Sequence, residues 1–316
     1  MRNTRIVTII CWAVSAVALL GLLVWFLIGG FFNFGFTLGD GFGVGTFDVV
    51  GSYSVPAENV HSLDVDWTAG RVYIGTHSGS DIQVTEFARR NLRDGEEMSL
   101  NVDDGTLTIE FVERRVLRGN MATKQLEILI PRSMSENFEE FRVNTVSGRV
   151  EISEIGAGDF AVSTTSGRVE LRDITSQTLS ASTTSGRIEL SAVQAEGITL
   201  RTVSGRIETF HTEADRLQTQ TTSGRHELSG TFGEVNARST SGRIEITSQI
   251  VPESLTARAA SGRIAVTVPG GEAISVQHST GSGRFSSAIP VITHGGAGAQ
   301  FDLSTSSGRI SIYELR

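Results

Sequence analysis

The sequence predicts an all-β fold: a β-solenoid, parallel β-helix-like, of coils about 19 residues long, preceded by one N-terminal transmembrane helix. Three observations carry this. The triplet Ser-Gly-Arg occurs at Ser147, Ser166, Ser185, Ser204, Ser223, Ser241, Ser261, Ser282 and Ser307, with spacings of 19, 19, 19, 19, 18, 20, 21 and 25. Apolar residues alternate with polar or small ones on both sides of each triplet. An apolar run without a charge, Ile6 to Ile28, stands near the start.

The period comes first, because a unit that recurs at fixed spacing marks a repeat architecture. Three residues after each serine stand Val150, Val169, Ile188, Ile207, His226, Ile244, Ile264, Phe285 and Ile310. The positions five residues after and six residues before are mostly apolar as well, for example Ile152 and Leu171, Phe141 and Phe160. Alternation of period two on each side of the triplet gives two short strands per unit. The glycine between them can take positive φ and turn the chain. An antiparallel meander would use Ser-Gly as a hairpin turn, but it does not require identical residues at identical offsets. Stacking does, so the solenoid is preferred. Eight steps at the strand spacing give a rod roughly 38 Å long.

The N-terminal run follows Arg2 and Arg5 and contains only Thr8, Cys11 and Ser15 as mildly polar members. A spanning helix needs about 20 residues, and no small-residue cleavage site follows the run, so an uncleaved anchor is expected at 6–28. The arginine pair places residues 1–5 in the cytoplasm and the bulk of the chain outside the cell membrane. Residues 29–54, rich in Gly and Phe, read as a tether. Residues 55–140 read as an irregular β region that caps the membrane-proximal end. In it, Ala69-Gly70-Arg71 is a degenerate triplet, Asp103-Asp104-Gly105 is a hairpin turn, and a strand ends at Ile130-Pro131. Residues 141–316 are the repeat body. No comparable cap follows Ser307, so the coil holding it is expected to close the rod with open strand edges.

Charge excludes some functions. The net charge is −8, which argues against a nucleic-acid partner. Residues 1–140 carry 11 basic and 18 acidic side chains, whereas residues 141–316 carry 16 and 17. The repeat body is therefore nearly neutral. Lys124 is the single lysine and Cys11 the single cysteine, so no disulfide can form within the chain and no thiolate metal site exists.

The candidate site is the arginine of the triplet. Arg149, Arg168, Arg187, Arg206, Arg225 and Arg243 are each followed two residues later, on the same outward face, by Glu151, Glu170, Glu189, Glu208, Glu227 and Glu245. Stacked like charges repel, and a glutamate column beside an arginine column neutralises both. This reads as a structural ladder. The glutamate column then stops: its last positions are Ala265, Ser286 and Ser311, while Arg263, Arg284 and Arg309 remain. These three form a candidate anion-binding stripe for phosphate- or carboxylate-bearing envelope polymers. His226 falls in an inward column with no acidic or histidine cluster beside it, so it reads as a neutral core residue.

No nucleophile–histidine–acid set, P-loop or zinc spacing is present, and no cofactor is expected. Glycosidase-type catalysis needs carboxylates converging in a cleft, whereas these glutamates form a uniform column. The sequence thus argues for a scaffold or adhesin-like binding protein rather than an enzyme. An envelope-stress or signalling accessory acting with a membrane or surface protein is the alternative.

The single N-terminal span, the strand–Gly–strand segment from Leu63 to Val84, the strand ending at Ile130-Pro131 and the serial Thr-x-Ser-Gly-Arg-[Ile/Val]-Glu units together resemble the adhesin-like β-strand-repeat family, a bacterial and sometimes archaeal family of unknown function. The resemblance covers residues 55–316 and implies a β-solenoid in the cell envelope. In that family the residue after Ser-Gly is often Asp. Here it is Arg throughout, so no family ligand carries over.

Overall fold

The computed structural model describes residues 47–112, 123–271, 274–292 and 298–315. The expected transmembrane helix and the tether up to residue 46 lie outside them. Among the described residues no helix is long and apolar enough to cross a membrane. The chain divides into Met1–Gly45 and Thr46–Arg316; the second unit is described below.

Its strands are β1 (Asp48–Pro56), β2 (Ser62–His77), β3 (Asp81–Ala88), β4 (Ser99–Asp103), β5 (Thr106–Glu110), β6 (Lys124–Pro131), β7 (Phe138–Ser248), β8 (Ser254–Ser261), β9 (Ile264–Pro269), β10 (Ile274–Ser287), β11 (Val291–Ile292) and β12 (Gln300–Leu315). The end of the expected tether is thus a strand, β1. The 111 residues of β7 run through the six triplets from Ser147 to Ser241 as one winding strand. Repeat pairs with repeat in parallel: Ser241 lies opposite Ser261, and Ser282, Gly283 and Arg284 lie opposite Ser307, Gly308 and Arg309. Parallel, in-register pairing is the solenoid arrangement and excludes the hairpin meander. The degenerate triplet joins it, with Ala69, Gly70 and Arg71 opposite Ser147, Gly148 and Arg149. The rod therefore begins at β2, within the stretch 55–140 and at its degenerate triplet.

The apolar columns fill the interior. Phe141 and Phe160, 19 positions apart, stack with ring centroids 4.8 Å apart and planes 6° from parallel. That is the spacing of neighbouring strands. Two further inward columns lie four and two residues before the serine. The first holds Val143, Val162 and Leu200. The second is the buried threonine column Thr145, Thr164, Thr183, Thr202 and Thr221.

The triplet glycines form the tightest column. A Cβ placed on Gly186 would lie 1.6 Å from the carbonyl oxygen of Gly167, and one on Gly167 would lie 1.7 Å from that of Gly148. The same relation links Gly262 to Gly242, Gly308 to Gly262, and Gly283 to Gly308. Every rung thus packs its glycine Cα against the backbone of the rung below, and only glycine fits. Gly186 also has φ +159° and Gly148 +144°, which disfavour any side chain. A second corner follows the triplet by seven residues. Glu154, Asp173, Ala192 and His211 all have φ between 48° and 61°, in the left-handed region that non-glycine residues enter uncommonly.

The order of rungs departs from the order of the chain at both ends. At the start, β2 lies between β7 and the pair β5 and β6. At the far end, β12 lies between β8–β9 and β10. The coil holding Ser307 is therefore internal, contrary to the expectation that it closes the rod, and the coil holding Ser282 is terminal. Side-chain chemistry accounts for this. β12 supplies Phe301, Leu303, Ile310 and Ile312, all at most 2 % exposed. The matching positions of β10 are Val276, His278, Phe285 and Ser287, two of them polar and His278 exposed. Chain order would bury the polar rung. Insertion of β12 buries the apolar one and leaves β10 as the end, with His278 stacked on Phe285 at 3.9 Å.

The other end is covered. β3 pairs antiparallel with β6 and β1 with β3, while β4 closes on β5 through the turn at Asp104 and Gly105. The lone lysine anchors this cap. Lys124, 1 % exposed, pairs with buried Glu86 at 2.7 Å and lies 4.2 Å from the Phe111 ring centroid.

The glycine column yields a paired prediction. Gly186→Ala will lower the unfolding free energy by at least about 2 kcal/mol, because backbone on backbone cannot yield. Gly197→Ala, with nothing within 4 Å of its Cβ, will stay within about 0.5 kcal/mol. Urea denaturation of the two variants measures both.

Candidate functional site

The corner glycines leave an open groove of about 570 Å³ along the body of the rod, lined by Gly186, Arg187, Gly205, Arg206, Gly224, Arg225, Gly242 and Arg243. Its arginines project from the first residue after each corner. The strand period then places a glutamate on the same face two residues on.

These groups pair within a rung and between rungs. Arg168 donates to Glu170 at 3.1 Å, Arg206 to Glu208 at 2.8 Å, Arg225 to Glu227 at 3.0 Å and Arg243 to Glu245 at 3.1 Å. Arg149 lies 2.6 Å from Glu151 of its own rung and 2.8 Å from Glu170 of the next. Arg187 lies 3.8 Å from Glu189 and 3.4 Å from Glu208. Arg71 reaches Glu151 at 2.6 Å. Each cross-rung pair has the same sense: the arginine reaches the glutamate one rung farther from the covered end.

The carboxylates are the deeper partners. The Glu170 side chain is 2 % exposed against 44 % for Arg168. Glu170 accepts from Arg149, Arg168 and Arg172. Burial pushes its carboxyl up, but the Arg149 and Arg168 guanidiniums outweigh burial and hold it below the usual range. Along the body, then, the arginines are neutralised by carboxylates on the rod itself.

The end differs. Arg309 lies between Arg263 and Arg284, so the three are consecutive rungs in the order 263, 309, 284. All are exposed, and none makes an ion pair with a described residue. Position by position, Glu245 is followed by Ala265, Ser311 and Ser286. The Ser286 and Ser311 hydroxyls lie 3.1 Å apart. Asp302, also on β12, is engaged by Arg258 at 2.5 Å. Three guanidiniums one strand spacing apart repel by about 1 kcal/mol per adjacent pair even at the permittivity of water. An external anion would relieve that repulsion.

His226 is fully buried. Its Nε2 lies 3.0 Å from Thr221 Oγ1 and its Nδ1 2.9 Å from Thr219 Oγ1. With Thr209 and Thr212, both 0 % exposed, it marks a polar layer inside the rod. Two threonine hydroxyls are partners for a neutral imidazole, not a metal set. Among the described residues no group of three or more His, Cys, Asp or Glu could hold a metal ion.

The fold and this surface define a capped parallel β-solenoid with a balanced charge ladder and an arginine-rich tip. Residues 60–313 match the toastrack family DUF4097, and the chain belongs to that family. No curated protein matches it. Its fold is similar to a candidate adhesin from Bacteroides fragilis at 14 % identity and TM-score 0.50, over 85 % of this chain and 98 % of that one. It is similar to a candidate adhesin from Parabacteroides distasonis at 15 % identity and TM-score 0.51, again over 85 % and 98 %. A candidate lipid-binding protein from the same species matches at 13 % identity and TM-score 0.50, over 84 % and 96 %.

Burial pushes the His226 imidazole down from 6.5 to about 4, offset in part by a hydrogen bond to the Arg238 backbone. The unfolded chain therefore binds the extra proton at a higher pH than the folded one. Stability from this group is present above pH 6.5 and falls as pH drops from 6.5 toward 4, by about 3 kcal/mol in all. Glu170, whose carboxyl is depressed, adds a loss only below the ordinary carboxylate range. Urea unfolding at stepped pH will show the first decline, and His226→Ile will flatten the curve between pH 6.5 and 4.

Proposed function

We propose that this chain is a membrane-anchored, surface-exposed scaffold of adhesin-like type, non-catalytic, that recognises anionic envelope polymers through Arg263, Arg309 and Arg284. The observation that carries this reading is the run of three exposed guanidiniums on consecutive rungs where the glutamate column has ended. Elsewhere on the rod each triplet arginine faces a carboxylate that an incoming anion would have to displace. At the tip there is none to displace, and arginine forks suit carboxylate and phosphate groups. The apolar run at 6–28 supports a single span with residues 1–5 in the cytoplasm and the rod outside. Three solved relatives in fold are described as candidate adhesins or a candidate lipid-binding protein, which agrees with a binding role at a cell surface.

The test uses the full-length chain and two soluble probes, polyglucuronate for carboxylate and inorganic polyphosphate for phosphate. Retention of at least one probe at low salt will fall steeply as salt rises. Changing Arg263, Arg309 and Arg284 together to Ser will reduce it at least about tenfold, whereas Arg201→Ser on the body will leave it unchanged. Retention indifferent to the three substitutions would sink the reading.

A further inference from the structure

We propose that the tip is a strand-docking site: the open edge of β10 receives an extended peptide whose carboxylate completes the arginine–glutamate ladder. The inference rests on the reading that the tip arginines bind anions, and it names the partner as a polypeptide rather than a polymer of sugars or phosphates.

Three observations converge on it. The first is the edge. Among the described residues only β11 pairs with the outer side of β10, and only at Ile274 and Ser275. From Gln277 to Ser287 no described residue pairs with that side, and most of this stretch is exposed. The covered end has no such edge beside its last full rung, because β3 and β4 lie over β6 and β5. An unpaired edge is a template for another strand.

The second is the direction of the backbone groups. The N–H of Ser275 donates inward to Ala299, while that of Ile274 donates outward to Pro290. Alternation along a parallel strand then turns the N–H groups of His278 and Thr280 outward. Past the corner, Ala288 donates inward to Ile312, so the N–H of Phe285 points outward. The homologous group of Ile244 already donates to the next rung, to Arg263 at 2.9 Å. The tip thus presents donors in the pattern that every inner rung uses to hold its neighbour.

The third is the polarity of the ladder. Arg71, Arg149 and Arg187 each reach the glutamate of the next rung toward the tip, at 2.6, 2.8 and 3.4 Å. Arg284 stands in the same place on the last rung, and the group it would reach belongs to whatever strand is added. The register is then fixed. The incoming segment reads apolar–acid–apolar, with its acid beside Ser286 and its apolar residues over Phe285 and Ser287.

The experiment measures binding of a synthetic peptide to the full-length chain by fluorescence anisotropy. The peptide carries this chain's own residues 236–248, with Glu245 as the acid and Arg243→Ser to remove a like charge. It is expected to bind saturably and to lose at least tenfold in affinity when Glu245→Gln is made in it. Thr280→Pro in the protein removes an outward N–H and no inward bond. It will abolish peptide binding and leave polyglucuronate retention intact. Ser286→Glu, which gives Arg309 and Arg284 an internal partner and leaves the backbone alone, will weaken the peptide at least tenfold. Peptide binding unchanged in Thr280→Pro and Ser286→Glu overturns the proposal. Polyglucuronate or polyphosphate bound without the peptide overturns it and leaves the anion reading standing; peptide and both polyanions unbound overturns both. Concentration-dependent self-association that Thr280→Pro abolishes, with no peptide competition, makes the occupant a second copy and overturns the peptide partner.

Discussion

The close approach of glycine to glycine is the constraint on which the rest of the rod depends. Each corner brings a Cα so near the carbonyl of the rung below that a Cβ there would stand 1.6 to 2.0 Å from oxygen in the repeat body. No relaxation of a side chain relieves such a contact, so every rung must present the same residue at the same height. That pins the register. Since side chains alternate along a strand, a slip by one residue would turn each inward column out to solvent. With the register pinned, Phe141 meets Phe160, threonine follows threonine, and arginine follows arginine. The last of these is unfavourable alone, and the glutamate column is its consequence. The ladder is therefore not the cause of the stacking. It makes stacking of this particular triplet tolerable.

Equivalent rungs also make their order a free choice, which the sequence settles by composition. Any triplet coil could pair with any other through its backbone. Which coil ends the rod is decided by the cost of burying its interior residues. β10 brings His278 and Ser287 to positions that β12 fills with Leu303 and Ile312. Burying unpartnered polar groups costs more than the longer connection needed to fold β12 back into place, because loop closure grows only slowly with length. The polar layer around His226 has the opposite solution. There the imidazole stays in the interior because Thr219 and Thr221 give each ring nitrogen a hydroxyl partner.

Much of this was legible in the sequence, and the remainder failed for definable reasons. The triplet spacing gave the coil, its columns and the glutamate beside each arginine. The Asp104-Gly105 turn and the strand ending at Pro131 were equally visible. Insertion of β12 was not, since adjacency in the chain does not fix adjacency in space. The signal was nonetheless present in the polar substitutions at 278 and 287 and in the 25-residue spacing before Ser307. The second corner escaped because Glu154, Asp173, Ala192 and His211 share a backbone conformation and no chemistry. The burial of the ladder glutamates escaped because charge alone does not tell which member of a pair is the deeper. Lys124 is the only lysine, yet its partners, Glu86 on β3 and Phe111 just past β5, come from segments that no period connects.

The electrostatic design follows from where the ladder ends. Ten rungs from Gly70 to Gly283 span nine strand spacings, about 43 Å. The acidic residues of the capped end are thus several Debye lengths from the tip, at about 8 Å each in physiological salt, and they do not cancel its charge. Along the body between them each triplet arginine is matched by a ladder glutamate. A chain with net charge −8 can therefore carry a locally cationic end. That end falls on the same rungs as the open strand edge, because both features mark the point where repetition stops: the glutamate column gives out at Ala265, and β10 has no described rung beyond it. A repeat fold has few ways to be different along its length. Its end is where a specific surface can arise without disturbing the stack, and here charge, hydroxyls, a stacked His278–Phe285 pair and unpaired backbone donors all occur together at that end.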